Sequence, residues 1–133
     1  MEVKIIPVVC AIIEQDGQVL CALRSEHMSL PGKWEFPGGK LEVNELPEEA
    51  LIREIKEELN VEIKIIEALP IAEHAYVPEK IIQLIPYRCS IVGNENPSAT
   101  EHAELRWVKI DELLQLDWAE ADVPIVLNYI QTK

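Results

Sequence analysis

Three glutamates, Glu54, Glu57 and Glu58, fall at helical spacing in the segment LPEEALIREIKEEL, residues 46–59. With Glu54 at zero and about 100° per residue, Glu57 lies near −60° and Glu58 near +40°, so the three carboxylates share one arc of about 100°. Leu51, Ile52, Ile55 and Leu59 fall between about 60° and 160° and form the expected core stripe, which the carboxylates border. The small Ala50 shares their arc. Like charges at i,i+4 destabilise an isolated helix by about 0.2–0.5 kcal/mol, and no Lys or Arg shares the arc to offset them. A hard divalent cation, which takes several converging oxygen ligands, would relieve that repulsion. A solvated acidic face has the same wheel, so the helix alone does not decide between the two. Just before it, Gly38-Gly39-Lys40 permits backbone conformations closed to other residues and can present carbonyls and amides to a metal–phosphate group.

The rest of the chain must position these groups. At 133 residues, with 48% hydrophobic and 27% charged residues, it reads as one folded domain spanning 1–133. Twenty-four acidic against 12 basic residues give a net charge of −12. That charge repels polymeric nucleic acid and anionic membrane surfaces, yet a small polyanion can bind where metal reverses the local sign. No apolar run approaches the roughly 20 residues of a membrane span, and the start MEVKIIPVVCAII has neither a basic leader nor a small-residue cleavage site. Cys10, Cys21 and Cys89, odd in number and set in apolar stretches, read as reduced buried thiols, and a cytoplasmic location is expected.

Val3–Ile13 is rich in β-branched residues, and Asp16-Gly17 supplies hairpin turn chemistry into Val19–Leu23. Residues 25–33 read as a loop, and Trp34-Glu35-Phe36 as a short strand stopped by Pro37-Gly38-Gly39. Helix 46–59 follows, with Pro47 in its first turn and Asn44 as the expected N-cap. Val61–Leu69 and Ile81–Val92 form a second hairpin-like pair across the Pro-containing segment 70–80. Leu105–Ile110 is a further strand, Asp111–Leu116 a helical turn, and Ala119–Ile130 a closing helix with Pro124 near its start. The alternation predicts α+β or mixed α/β, with helices flanking a mixed or largely antiparallel sheet.

From Gly39 to Val61, GKLEVNELPEEALIREIKEELNV resembles the Nudix box: Gly39, Glu45, Arg53, Glu54, Ile55, Glu57, Glu58 and Val61 stand at the family's spacing. The one departure is Asn60 where the family has Gly. Asn tolerates the left-handed conformation that often follows a helix end, so the departure is mild. The flanking segments WEFPGGK, EHAELRWV and LDWAEADVPIV resemble the MutT-type branch. This resemblance implies an α/β/α sandwich and Mg²⁺-dependent hydrolysis of nucleoside triphosphates, oxidised guanine or cytidine nucleotides among them, to monophosphate and pyrophosphate. Mn²⁺ is the alternative ion.

The resemblance also implies roles. Glu54, Glu57 and Glu58 would be metal ligands, with the Gly38 carbonyl as a further one. Arg53 would orient or neutralise a box carboxylate, and Glu45 would brace the loop against the helix. Glu101 takes the place of an additional metal-binding or water-activating glutamate, with Glu104 as its competitor. Arg24 and Lys40 are the cations available to phosphates, or else ordinary surface charges. Asp122 stands where relatives contact the base; it could equally cap the last helix. Tyr76, Tyr87 and Trp118 are either stacking or core aromatics. Two other functions stay open: hydrolysis of another nucleoside diphosphate linked to a further moiety, and nucleotide sensing without cleavage. The intact glutamates and the lack of an appended DNA-binding domain speak against the sensor. The expected partner is a small nucleotide, and the chain is expected to be a monomer or homodimer.

Overall fold

The computed structural model describes residues 2–133. Its elements run β1 (Lys4–Gln15), β2 (Gln18–Leu23), β3 (Trp34–Glu35), β4 (Gly38–Lys40), α1 (Pro47–Leu59), β5 (Ile63–Ala68), β6 (Ala72–Val77), β7 (Lys80–Ile91), β8 (Glu104–Lys109) and α2 (Val123–Gln131), with 3-10 turns at Ile110–Gln115 and Glu120–Asp122. Among the described residues no helix is long and apolar enough to cross a membrane.

β1 is the axis of the fold. It pairs in parallel with β7 from Lys4↔Lys80 to Ile13↔Cys89, while the other pairings are antiparallel, as the mixed-sheet reading expects. On its other edge β1 meets β2 only at Glu14↔Val19 and Gln15↔Gln18. The two strands then splay apart: β4 fills in on β1, β3 on β2. Strand alternation sends the β1 side chains to opposite layers. Val9, Ala11 and Ile13 pack with Leu51, Ile55 and Leu59 of α1. Cys10 and Ile12 pack with Ile125, Val126 and Tyr129 of α2, so the sheet lies between the two helices. All three cysteines are free and buried.

Several expectations need correction. Gly38-Gly39 does not simply stop a strand but forms β4, imposed by pairing to β1 rather than by residue propensity. Segment 70–80 is not merely a connection, because β6 lies within it and pairs with β7. Helix α1 begins at Pro47 with Leu46, not Asn44, as its N-cap; the Leu46 N–H donates to Glu49 Oε1 at 3.1 Å, and Asn44 takes a left-handed turn conformation in the loop (φ 64°). Ile52 lies outside the core stripe at 43% exposure, since the buried face of α1 is Ala50, Leu51, Ile55 and Leu59. The closing helix starts at Val123, after the 3-10 turn, and not at Ala119. At the far end of α1, Asn60 is left-handed (φ 57°, ψ 37°), and its N–H donates to the Lys56 carbonyl.

Candidate metal and nucleotide site

The splay between β1 and β2 leaves a cleft that β3, β4 and the C-terminal half of α1 surround. Its close packing demands the two glycines. A Cβ on Gly38 would come within 1.9 Å of the Val9 carbonyl oxygen, and one on Gly39 within 2.4 Å of the Glu54 carboxylate. Gly39 is therefore what lets Glu54 lie against the backbone of β4.

Arg53 organises the helix side. Its Nε and Nη2 donate to both oxygens of Glu45 at 2.8 and 2.9 Å, Nη1 donates to Glu54 Oε1 at 2.9 Å, and Nη2 to the Lys40 carbonyl at 3.2 Å. Glu45 Oε1 also accepts the Glu42 N–H. These bonds hold the Glu45 carboxyl down at about 2 and raise the Arg53 guanidinium further above its ordinary value. The offset thought absent from the arc is thus supplied by Arg53, whose long side chain reaches round the helix to Glu54 and, at 3.4 Å, Glu57.

The three box glutamates are not equivalent. Glu57 is 60% exposed and leans toward Arg53. Glu58 is largely buried, and its Oε1 has no hydrogen-bond partner. Burial first, then the charges of Glu54 and Glu35, a hydrogen bond with Glu54, and the charge of Glu101 push its carboxyl well above the ordinary range. Its surroundings thus combine acidic oxygens with an orphaned acceptor, and that donor set suits a hard divalent cation. Among the described residues no three His, Cys, Asp or Glu side chains form a closed cage. The ligands would be completed by water and phosphate oxygens.

Beside Glu58 opens a cavity of about 200 Å³ whose lining includes Arg24, Glu35, Phe36, Gly38, Lys40 and Asp122. It brings together Arg24, Lys40, Gly38, Glu58 and Asp122 of the expected residues; Arg53, Glu54, Glu57 and Glu101 lie outside its wall. Arg24 is already engaged, donating to Ser29 and, through Nη1 at 2.6 Å, to Glu35 Oε1. Asp122 does not cap α2 with its side chain; its Oδ2 accepts the Phe36 N–H at 3.0 Å. Burial is the main cause that pushes its carboxyl up to about 7, against the pull of that N–H. Tyr87 and Trp118 are core residues, and Tyr76 accepts the Ala121 N–H. The aromatic on the cavity wall is instead Phe36, 4.8 Å from Trp118 between ring centroids. Glu104 is paired with Arg106 at 2.8 Å. Glu35 and His102, joined at 2.8 Å, escaped sequence reasoning because 67 residues separate them.

The NUDIX domain family model matches residues 4–129. The chain is 40% identical over 124 residues to the CTP pyrophosphohydrolase of Escherichia coli K12, covering 92% of this chain and 90% of that protein. It is 40% identical over 73 residues to the 8-oxo-dGTP diphosphatase of Proteus vulgaris, 55% of this chain and 64% of that one. Among solved structures, the MutT Nudix hydrolase of methicillin-resistant Staphylococcus aureus 252 superposes with a TM-score of 0.80 at 45% identity, over 100% of both chains. The chain belongs to the NUDIX family of hydrolases.

Proposed function

Starting from that membership, we propose that the protein is a Mg²⁺-dependent nucleoside triphosphate pyrophosphohydrolase that releases a nucleoside monophosphate and pyrophosphate. The observation that carries the reading is Glu58: a buried carboxylate oxygen without a partner, pressed by Glu54, Glu35 and Glu101, on the wall of a cavity that Lys40 and Asp122 also line. Glu54, Glu58 and Glu101, with Glu57 and the Gly38 carbonyl, are the groups that would hold Mg²⁺ or Mn²⁺. When bound, the ion neutralises phosphate charge and acidifies water. Arg53 keeps Glu54 in place and Glu45 keeps Arg53 in place. Lys40 is positioned to meet phosphate oxygens, while Arg24, held by Ser29 and Glu35, acts on the substrate with its charge already oriented.

Glu101 is the better candidate than Glu104 for the base that takes the proton of the attacking water. Its charge acts on Glu58, whereas Glu104 is engaged by Arg106. As the water oxygen bonds to phosphorus, the bond between the α and β phosphates breaks and pyrophosphate leaves. Asp122 and Phe36 line the cavity where a base would sit. Above its raised value Asp122 is ionised and accepts from the amino edge of cytosine or from N1 and N2 of guanine, in line with the activities for which the two relatives are named.

The test is incubation with Mg²⁺ and a panel of canonical, oxidised and methylated triphosphates, reading monophosphate and pyrophosphate beside Glu58→Gln. Selective monophosphate formation lost in the variant is the expected result; a wild type that binds nucleotides and never turns them over would overturn it.

A further inference from the structure

The His102 side chain is buried beside the site, 1% exposed, and no part of the mechanism above uses it. Only one of its ring nitrogens is employed. Nε2 lies 2.8 Å from Glu35 Oε2, and with the other oxygen of that carboxylate accepting from Arg24, the tautomer that suits the contact is the one in which Nε2–H donates. Nδ1 is buried without a partner, a desolvation cost that an apolar residue of similar size would avoid. Among the described residues its one hydrogen-bonding side-chain contact is therefore the bond to Glu35.

That contact completes a relay. Glu35 Oε1 receives Arg24 Nη1 at 2.6 Å, so its two oxygens are held from opposite sides, by Arg24 and by His102. Both Glu35 and Arg24 line the cavity. The backbone that carries His102 is itself fixed: Thr100 Oγ1 donates to the Glu58 carbonyl at 2.8 Å, and the Ala103 N–H to the Leu23 carbonyl at 2.9 Å. The imidazole therefore stands on a clamped loop and reaches across to β3. Without its N–H, Glu35 would keep Arg24 as its one side-chain partner, and its carboxylate would be free to turn away from the place where it holds Arg24 against the cavity, with Ser29 left as the other anchor of the guanidinium.

We propose that His102 is a positioning residue: by donating Nε2–H to Glu35 it locks the Glu35–Arg24 pair in the orientation that meets the bound substrate. The nature of that substrate rests on the nucleotide reading above; the lock itself does not.

Because the lock acts on the binding wall, His102→Ala should raise KM for the preferred triphosphate about tenfold, the worth of one charge-assisted hydrogen bond, with kcat within about threefold of wild type. His102→Gln, whose amide N–H can reach the place of Nε2–H, should restore KM to within about threefold. In a Glu35→Ala background, His102→Ala should add nothing to KM. An equal effect in both backgrounds would reduce His102 to loop packing and overturn the proposal, as would a wild-type KM in His102→Ala. A readout on the free protein covers the remaining cases, including a variant that does not fold. In ¹⁵N spectra of the wild type the His102 ring should be protonated at Nε2 with slow proton exchange, and Glu35→Ala should abolish that protection. Protonation at Nδ1, or protection indifferent to Glu35→Ala, would overturn the lock. A wild type that hydrolyses no triphosphate would overturn the functional reading alone, leaving the imidazole spectra to decide this one.

Discussion

Two part-buried glutamates at different places in the fold have opposite surroundings. Glu14, near the end of β1, receives Arg88 Nη1 at 3.0 Å, Lys133 Nζ at 2.9 Å and the Tyr129 hydroxyl. Although burial works against it, these donors hold its carboxyl below the usual range. Glu58, on α1, meets Glu54, Glu35 and Glu101, and its carboxyl is raised. The same side chain is used once to tie a helix, a sheet and the C-terminal residue together, and once where its charge is left for something positive to answer. Compensation inside the chain suits a structural acid, and its absence at Glu58 is what the proposed cation role would use.

The largest expected effect tests the Glu58 side. Glu58→Gln should lower kcat/KM by more than the roughly 10–100-fold that loss of an outer-shell partner costs, while thermal unfolding without metal stays at or above the wild-type temperature. A variant that unfolds would break the comparison, because Glu58 would then be holding the fold.

Asp122 sharpens it with pH. Its folded value of about 7 lies above the ordinary 3.8, so the folded state holds the proton more firmly. Its contribution to stability is full below 3.8 and is lost as pH rises through 7, each unit being worth about 1.4 kcal/mol. Urea titrations between pH 4 and 8 should show that decline in wild type and a flatter profile in Asp122→Asn. Glu14 has the reverse sign, its stabilisation present above 4.5 and lost as pH falls through its lowered value. Glu14→Gln should cost about 1–2 kcal/mol at pH 7 by denaturant unfolding and leave kcat/KM unchanged, since neither it nor its partners line the cavity beside Glu58. Lost activity there would break the contrast. The smallest effect is Asn60→Gly, which removes the strain of a left-handed residue behind α1 and should add about 0.5 kcal/mol without changing kinetics.

Helix α1 was legible because its chemistry is local: Arg53, Glu54, Glu57 and Glu58 lie within six residues, and the cap at Asn60 follows from residue type. The β1–β2 hairpin was legible for the same reason, Asp16 and Gly17 both taking positive φ. What failed was set by distant partners. β4 is two glycines and a lysine that become a strand because β1 lies beside them. β6 is hidden between Pro70 and Pro78 and exists by pairing to β7. Ile52 sits at the edge of the helical wheel, where a shift of a few tens of degrees decides burial. The unequal environments of Glu57 and Glu58 depend on which loops pack over each, a matter the wheel does not contain.

The parallel pairing of β1 with β7 carries a kinetic consequence. Lys4 meets Lys80 and Ile13 meets Cys89, so the strand that anchors both helices and β4 waits for partners 76 residues further along the chain. A loop of that length must close before the contact repays its entropy, so this pairing is expected to form later than the local helix and hairpin, which stopped-flow refolding would show. Helix α1 can flicker into existence early, yet its glutamates face no cleft until β7 has docked. Until then the acidic cluster is an open, hydrated helix face, so the cation site proposed for it would be assembled only with the last of the sheet.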